Sequence, residues 1–327
     1  MAKTSFGRKL AQIRGKSDAP EFGFGSITNS QGKRMLQKDG GANVIRLGEP
    51  RYNILNIYHS LVTITWLRFN IYVFIFYFSI NSLFTLAYYI ATPDGLGGMS
   101  YSNELEKIEE IFFFSAQSLT TVGYGRLNPV STTASGIAAL ESMIGLLGFA
   151  LATGLLYGRF SRPTAKLLYS DNVLIAPYNN VKFPGVDKAL MFRILNARSN
   201  QLIEVEAQVL FAYNEEVNGN IIRRFQALKL EIEKISLLAL SWTIVHPITE
   251  ESPLFGVTQS ELESVNAEFM INLKAIDDTY VQQVYTRTSY NWEELVWDAK
   301  FNSIISKNEQ GIITVDLKKI STYTKLA

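Results

Sequence analysis

Residues Ile108–Gly125 read IEEIFFFSAQSLTTVGYG, and this stretch decides how the rest of the chain is read. Ile108–Leu119 has the pattern of a short helix with acidic residues in its first turn, where the helix dipole favours them. Such a helix rises only about 18 Å, too little to cross a hydrocarbon core of about 30 Å. Thr120–Gly125 then continues as Thr-rich and Gly-rich backbone. Irregular backbone of that kind is tolerated at membrane depth only where protein or water covers it. The pattern predicts a re-entrant loop, with a half-helix over 108–119 and a turn of special geometry over 120–125.

Two apolar stretches flank this loop. Phe69–Ala91 (FNIYVFIFYFSINSLFTLAYYIA) carries no charge, and Thr132–Tyr157 (TTASGIAALESMIGLLGFALATGLLY) carries one, Glu141. Either can span a bilayer with some tilt, and the first is aromatic at both ends, as interfacial belts are. It begins far from the N-terminus with no small-residue cleavage site after it, unlike a signal peptide. Turn chemistry at Thr92–Gly98 separates it from the loop. Lys3, Arg8, Lys9, Arg14, Lys16, Lys33, Arg34, Lys38, Arg46 and Arg51 precede the first span, and Arg159, Arg162 and Lys166 follow the second. Only Lys107 and Arg126 lie between. The positive-inside rule therefore places both termini in the cytoplasm. Ahead of the first span, Ile54, Ile57, Leu61 and Ile64 recur at helical spacing, predicting an interfacial helix over 52–67 anchored by Trp66 and Arg68.

From residue 168 the pattern changes to period two. Ile203, Val205, Ala207, Val209 and Phe211 alternate with polar residues, as do Ala267, Phe269, Ile271, Leu273 and Ala275, and Leu228–Glu233 does the same. Short strands split by turn residues predict an antiparallel immunoglobulin-like β-sandwich over 168–327. Gly23-Phe24-Gly25 has no strand before it and reads as linker. The partition is then a cytoplasmic N-terminal segment 1–51, the interfacial helix 52–67, and a membrane pore domain 68–158. That domain holds an outer helix 68–91, the half-helix 108–119, the loop 120–125 and an inner helix 132–158. A basic linker 159–167 leads to the sandwich.

Composition removes most other functions. Lys and Arg number 31 against 30 Asp and Glu, so no global basicity points to nucleic acid. There is no cysteine, and the only histidines are His59 and His246, which excludes disulfides, thiol nucleophiles and Cys-based or multi-His metal sites. No nucleophile–base set marks the sandwich as an enzyme.

The chemistry lies in Thr121-Val122-Gly123-Tyr124-Gly125. Dehydrating K⁺ requires rings of oxygens in place of its water shell, and this run supplies successive backbone carbonyls, those of Thr121, Val122, Gly123 and Tyr124. Gly123 and Gly125 permit torsions that point consecutive carbonyls one way. Val122 and Tyr124 are expected to point outward and brace the filter against the pore helix. One copy cannot encircle an ion, so a homotetramer with cyclic symmetry is expected.

On these residues the chain resembles the inward-rectifier potassium channels, most closely the prokaryotic branch. Lys38–Val44 (KDGGANV) is similar to the segment ahead of the family's interfacial slide helix. Arg159–Pro163 (RFSRP) resembles the basic exit of its inner helix. Thr243–Leu254 (TIVHPITEESPL) and Ser289–Trp297 (SYNWEELVW) resemble signatures of its cytoplasmic domain.

The resemblance implies passive, voltage-independent K⁺ conduction in a bacterial cell membrane, without catalysis, modulated by anionic lipid and open to an unknown cytoplasmic ligand. It places the gate at Phe149 and Tyr157, with packing between helices as the alternative for either. Thr120, Gln117 and Glu141 fall at the cavity or behind the filter. Glu204 and Glu294 align with acidic positions lining the cytoplasmic pore, where carboxylates could hold Mg²⁺ or polyamine blockers; a solvated strand face is the alternative. Arg68, Arg159, Arg162 and Lys166 meet anionic headgroups. Three departures stand out. Gln117 replaces the family's usual Glu, leaving Arg126 without that partner. Asn56 replaces an Asp, and Phe149 stands where strong rectifiers are acidic, implying weak polyamine block. His59 reads as a pH sensor or an interfacial polar contact, and His246 as a structural, hydrogen-bonded residue.

Overall fold

The computed structural model describes residues 34–41, 43, 54–163, 166–217, 219–307 and 310–326. The basic residues up to Lys33, Arg46 and Arg51, the Gly23–Gly25 stretch, and Thr164 and Ala165 lie outside these, as do the side chains of Ile54 and Asn56. The chain divides into two compact units, Gly48–Arg162 and Met1–Leu47 with Pro163–Ala327.

The first unit holds α1 (Ile54–Thr63), α2 (Trp66–Ala91), α3 (Glu104–Leu119) and α4 (Thr132–Phe160). Helices α2 and α4, of 26 and 29 residues, are long and apolar enough to cross a membrane. The break between α1 and α2 falls at Ile64–Thr65, so α2 begins at Trp66 rather than Arg68. Val62-Thr63-Ile64-Thr65 is a run of β-branched side chains that resists helix, and Thr65 is extended (φ −60°, ψ 151°). Helix α3 begins at Glu104 rather than Ile108. Asn103 caps it by accepting from the Glu106 amide at 3.0 Å, while Glu106 accepts from the Ser102 amide at 2.6 Å. Around α3 a small core gathers Phe84 and Tyr88 of α2, Ile111 and Phe114 of α3, and Ala134 of α4. The strands β1 (Leu96–Gly97) and β2 (Asn128–Pro129) pair antiparallel and tie the two ends of the re-entrant segment together.

The second unit is built of two five-stranded sheets sharing one core. One sheet contains β3 (Leu167–Tyr169), β4 (Val173–Pro177), β5 (Lys188–Asn196), β9 (Ser241–Pro247) and β12 (Leu295–Trp297). The other contains β6 (Leu202–Val217), β7 (Asn220–Leu228), β8 (Lys234–Leu238), β10 (Glu268–Asp277) and β11 (Gln282–Asn291). Phe192 and Ile194 of β5 meet Val209, Phe211, Phe269 and Ile271 of the facing sheet in that core. Pairing is antiparallel except for β4 with β12, which run parallel.

Three local expectations change. Leu228–Glu233 is not a strand: β7 ends at Leu228, then the Glu231 amide donates to Val245 of one sheet and the Glu233 carbonyl accepts from Ala207 of the other, both at 2.8 Å. A segment bonded to both sheets cannot belong to either ladder. The alternation through β6 also changes phase. The register against β10 slips between Lys274 and Ile276, and Glu204 takes φ +52°, so Leu202 and Val205 are both buried. A short helix, α5 (Gln259–Ser264), interrupts the strands, capped by the Thr258–Glu261 box.

Candidate functional site: the re-entrant loop

Helix α3 delivers the chain into the loop and holds its first residues. The Thr121 amide donates to Ser118 O at 3.1 Å and the Val122 amide to Gln117 O at 3.0 Å. The Thr120 hydroxyl turns back to Ala116 O at 2.7 Å. Past this anchor, positive φ recurs at every second residue: Thr121 (59°), Gly123 (53°) and Gly125 (89°). A backbone with positive φ at every second residue is one that can turn successive carbonyls to the same side. Glycine takes such torsions at no steric cost, whereas Thr121 pays for its own.

Val122 and Tyr124 do not brace the filter within the chain. They are 53% and 80% exposed, so the surface they would pack on is not supplied by their own pore helix. Behind the loop the inner helix comes close at Gly145, where an added Cβ would lie 1.9 Å from the Leu119 carbonyl oxygen. An open apolar cleft of about 560 Å³ borders Thr120, Thr121, Gly145 and Phe149, which brings the start of the loop and Phe149 of the inner helix to one space. Phe149 and Tyr157 are 74% and 73% exposed, so neither packs between helices of its own chain.

Glu141 is fully buried among α2, α3 and α4. It accepts from the Tyr88 hydroxyl at 2.8 Å and, through its other oxygen, from the Ser115 hydroxyl. Its partners thus lie on α2 and α3, not on the loop.

Arg126, without a Glu at position 117, is paired with a different carboxylate. Glu110, two helical turns before Gln117 on α3, lies 2.7 Å from the Arg126 guanidinium, which also donates to Gly98 O at 3.2 Å. The pairing escaped sequence reading because only the hairpin closed by β1 and β2 brings Arg126 back over the N-terminal half of α3.

Arg159 also has partners within the chain. Its guanidinium donates to Leu61 O at 2.5 Å and Ile64 O at 2.8 Å, and lies over the rings of Trp66 (4.5 Å) and Phe69 (4.6 Å). Those two bonds hold the carbonyls of Leu61 in α1 and of Ile64 just past its end, and they leave Arg159 half-buried. Arg68, Arg162 and Lys166 are exposed, as is His59.

In the β unit neither predicted cation site is a free carboxylate. Glu204 projects from its bulge into an ion pair with Lys234. Glu294 binds Arg34 at 3.0 Å and Lys38 at 2.8 Å and accepts from the Asn291 amide at 2.9 Å. Its burial would raise the pKa, but Lys38, the Asn291 amide and Arg34 together outweigh this and hold the carboxyl below its usual value. Two cations on one carboxylate leave no negative field for Mg²⁺ or a polyamine. Glu294 instead fastens residues 34–38 onto the domain. There the Met35 and Leu36 amides donate to Glu268 at 3.2 and 3.3 Å, and Glu268 also pairs with buried Arg223 at 3.0 Å. His246 is buried between Lys229 O (2.6 Å) and the Ser252 hydroxyl (2.8 Å). Burial pushes its pKa down to about 4 against the opposing Lys229 hydrogen bond. It is structural.

A family model described as the inward rectifier potassium channel C-terminal domain matches residues 178–327. The chain is 33% identical to inward rectifier potassium channel Kirbac3.1 of Paramagnetospirillum magnetotacticum over 288 residues, which covers 88% of this chain and 94% of that one. It is 21% identical to G protein-activated inward rectifier potassium channel 2 of Pongo abelii, over 92% of this chain and 74% of the relative. Against inward rectifier potassium channel irk-1 of Caenorhabditis elegans it is 22% identical, over 89% and 57%. All three relatives are inward rectifier potassium channels by name. With one third of residues identical along nearly the whole of a bacterial relative, this chain belongs to the inward rectifier potassium channel family.

Proposed function

We propose that four copies of the chain surround one axis, each contributing Thr121–Gly125 to a filter that passes dehydrated K⁺ passively, ion knocking on ion between adjacent sites. The observation that carries this reading is the alternation of positive φ at Thr121, Gly123 and Gly125. It makes a row of like-facing oxygens that only symmetry-related copies can close into rings. Exposed Val122 and Tyr124 then find their packing on a neighbouring subunit.

Phe149 and Tyr157 act as constrictions below the filter, four bulky side chains at each level closing the path by dewetting. With no acidic side chain at position 149, and with Glu204 and Glu294 engaged by cations, block by Mg²⁺ or polyamines is weak. The termini lie in the cytoplasm of a bacterial cell, and the β unit relays cytoplasmic signals to the gate. Anionic lipid acts through Arg68, Arg162 and Lys166, each worth about 1 kcal/mol at a charged surface. Conduction is independent of a voltage sensor, since neither span carries a row of basic residues.

The test is ⁸⁶Rb⁺ uptake into liposomes holding purified protein. Uptake blocked by Ba²⁺ and outcompeted by K⁺ but not Na⁺ is expected. No uptake from wild type, Phe149→Ala and Tyr157→Ala across several lipid compositions would defeat the reading.

A further inference from the structure

Ser115 sits on α3 one helical turn before Leu119, buried, with its hydroxyl between two other helices. On one side is Glu141 of α4, which accepts from it. On the other is Asn81 of α2, whose side-chain oxygen lies 3.1 Å away and whose backbone carbonyl lies 3.3 Å away. Asn81 is itself fully buried and its orientation is fixed, because its amide nitrogen donates to Tyr77 O at 2.8 Å. Tyr88, one face further along α2, reaches the second oxygen of Glu141. Four buried polar side chains from three helices thus converge on the middle of the pore helix, beside a core of Phe84, Ile111, Phe114 and Ala134. The single Ser115 proton is shared among Glu141 and the two Asn81 oxygens, and a buried polar network of this kind favours one packing arrangement.

What the network holds in place follows from the next turn of α3. The carbonyls of Gln117 and Ser118 are the acceptors for Val122 and Thr121, the first residues of the filter. Ser118 O also accepts from the Ser142 hydroxyl at 3.1 Å, and Ser142 follows Glu141 directly on α4. A shift of α3 along or across its neighbours would be transmitted through these bonds to the filter carbonyls.

We infer that Asn81, Ser115 and Tyr88, acting with Glu141, are positioning residues for ion selection: they pin the pore helix between the outer and inner helices and so set the filter oxygens. This rests on the channel reading above. None of the four touches the ion. The network takes up the bracing of the pore helix from within one chain, where Gln117 offers no carboxylate.

The experiment measures ⁸⁶Rb⁺ uptake by full-length protein in liposomes with graded K⁺ and Na⁺ as competitors, alongside tetramer retention in detergent. Ser115→Ala and Tyr88→Phe each remove one hydroxyl. Loss of one hydrogen bond to a charged or buried partner is expected to lower the Na⁺-to-K⁺ ratio of half-competing concentrations about tenfold while the tetramer persists. The double variant should lose less than the product of the two, because both act through Glu141. Unchanged ratios in both single variants, with wild type conducting, would overturn the inference and leave the channel reading standing. Absence of flux from wild type and from Phe149→Ala and Tyr157→Ala alike would instead defeat that reading. Should Ser115→Ala fail to assemble, Tyr88→Phe, which keeps the buried ring, decides the matter by the same criterion.

Discussion

Arg126 and Glu110 lie 2.7 Å apart across the mouth of the re-entrant segment, joining the residue directly after the filter to the N-terminal half of the pore helix. The pair is half in water: Arg126 is 56% exposed and Glu110 17%. An ion pair of that exposure contributes about 0.5 kcal/mol, a factor of roughly two. Glu110→Gln should therefore leave assembly intact and change Ba²⁺ sensitivity of ⁸⁶Rb⁺ uptake by about twofold, the scale of an exposed pair. The exchange variant, Glu110→Arg with Arg126→Glu, should return it toward wild type. Equal effects of Arg126→Gln with and without Glu110→Gln would instead give Arg126 a role of its own.

Gly123→Ala and Gly125→Ala should abolish uptake, although nothing lies within 4 Å of the added Cβ at either position in the chain. The obstacle is the torsion, about 1–2 kcal/mol for each left-handed residue, repeated in every subunit at the point where carbonyl direction matters. Normal, K⁺-selective uptake by either variant would show that the alternating torsions are not the conducting geometry.

Two inner-helix glycines separate close packing from flexibility. At Gly145 a Cβ would lie 1.9 Å from the Leu119 carbonyl oxygen, whereas at Gly154 nothing lies within 4 Å. Gly145→Ala should cost about 3 kcal/mol, the upper end of overpacking, and lower the tetramer melting temperature. Gly154→Ala should be neutral or raise it through helix propensity, worth about 1 kcal/mol. The reverse order, read by thermal denaturation in detergent, would contradict this assignment.

How much could be read from the sequence depended on whether the signal was local. Uncharged Phe69–Ala91 and the Thr120–Gly125 run carry their meaning in neighbouring residues, so the long helix and the special turn after the half-helix were legible at once. The cap at Asn103 was also local, yet the acidic turn around Glu109 and Glu110 drew attention away from it. Glu110 with Arg126, and Ser115 with Asn81 and Glu141, were not legible, because each pairing joins positions that only the packing of three helices brings together. Alternation misled where the backbone departs from ideal. A bulge at Glu204 shifts the phase of β6, and Lys229–Glu233 keeps period two while bonding to both sheets. Aligned charges misled most. Arg159 and Glu294 occupy expected positions, but whether a charge faces solvent or a carbonyl is set by its neighbours in space.

His246 makes the β unit sensitive to acid. Its folded pKa, about 4, lies below the ordinary 6.5. Between these values the unfolded chain binds a proton that the folded chain does not. Stability from this residue is complete above pH 6.5 and is lost as pH falls through 4, on the order of 3 kcal/mol in all. Urea unfolding of the purified protein, followed by tryptophan fluorescence, should show a midpoint that falls between pH 7 and pH 4.5. His246→Gln should start lower at pH 7 and fall less steeply. Parallel pH dependences in the two proteins would exclude His246 as the origin.

Arg159 offers a test of charge against geometry. If its role were attraction to headgroups, Lys would serve as well, since both carry one positive charge at the same depth. The structure asks for more than charge. Two nitrogens donate to Leu61 and Ile64 while the guanidinium plane lies over Trp66 and Phe69, and an ammonium on a flexible stem cannot make both bonds from that position. Losing one carbonyl bond and most of the ring contact removes about 2 kcal/mol, enough to shift a local equilibrium roughly thirtyfold. Arg159→Lys is therefore expected to change ⁸⁶Rb⁺ uptake severalfold at every lipid composition, because α1 is no longer fastened to the end of α4. Arg162→Gln should instead shift the fraction of anionic lipid giving half-maximal response while leaving the plateau unchanged. Wild-type uptake from Arg159→Lys, with a shifted lipid response in Arg159→Gln, would return Arg159 to the lipid-binding set and make its contacts with α1 incidental.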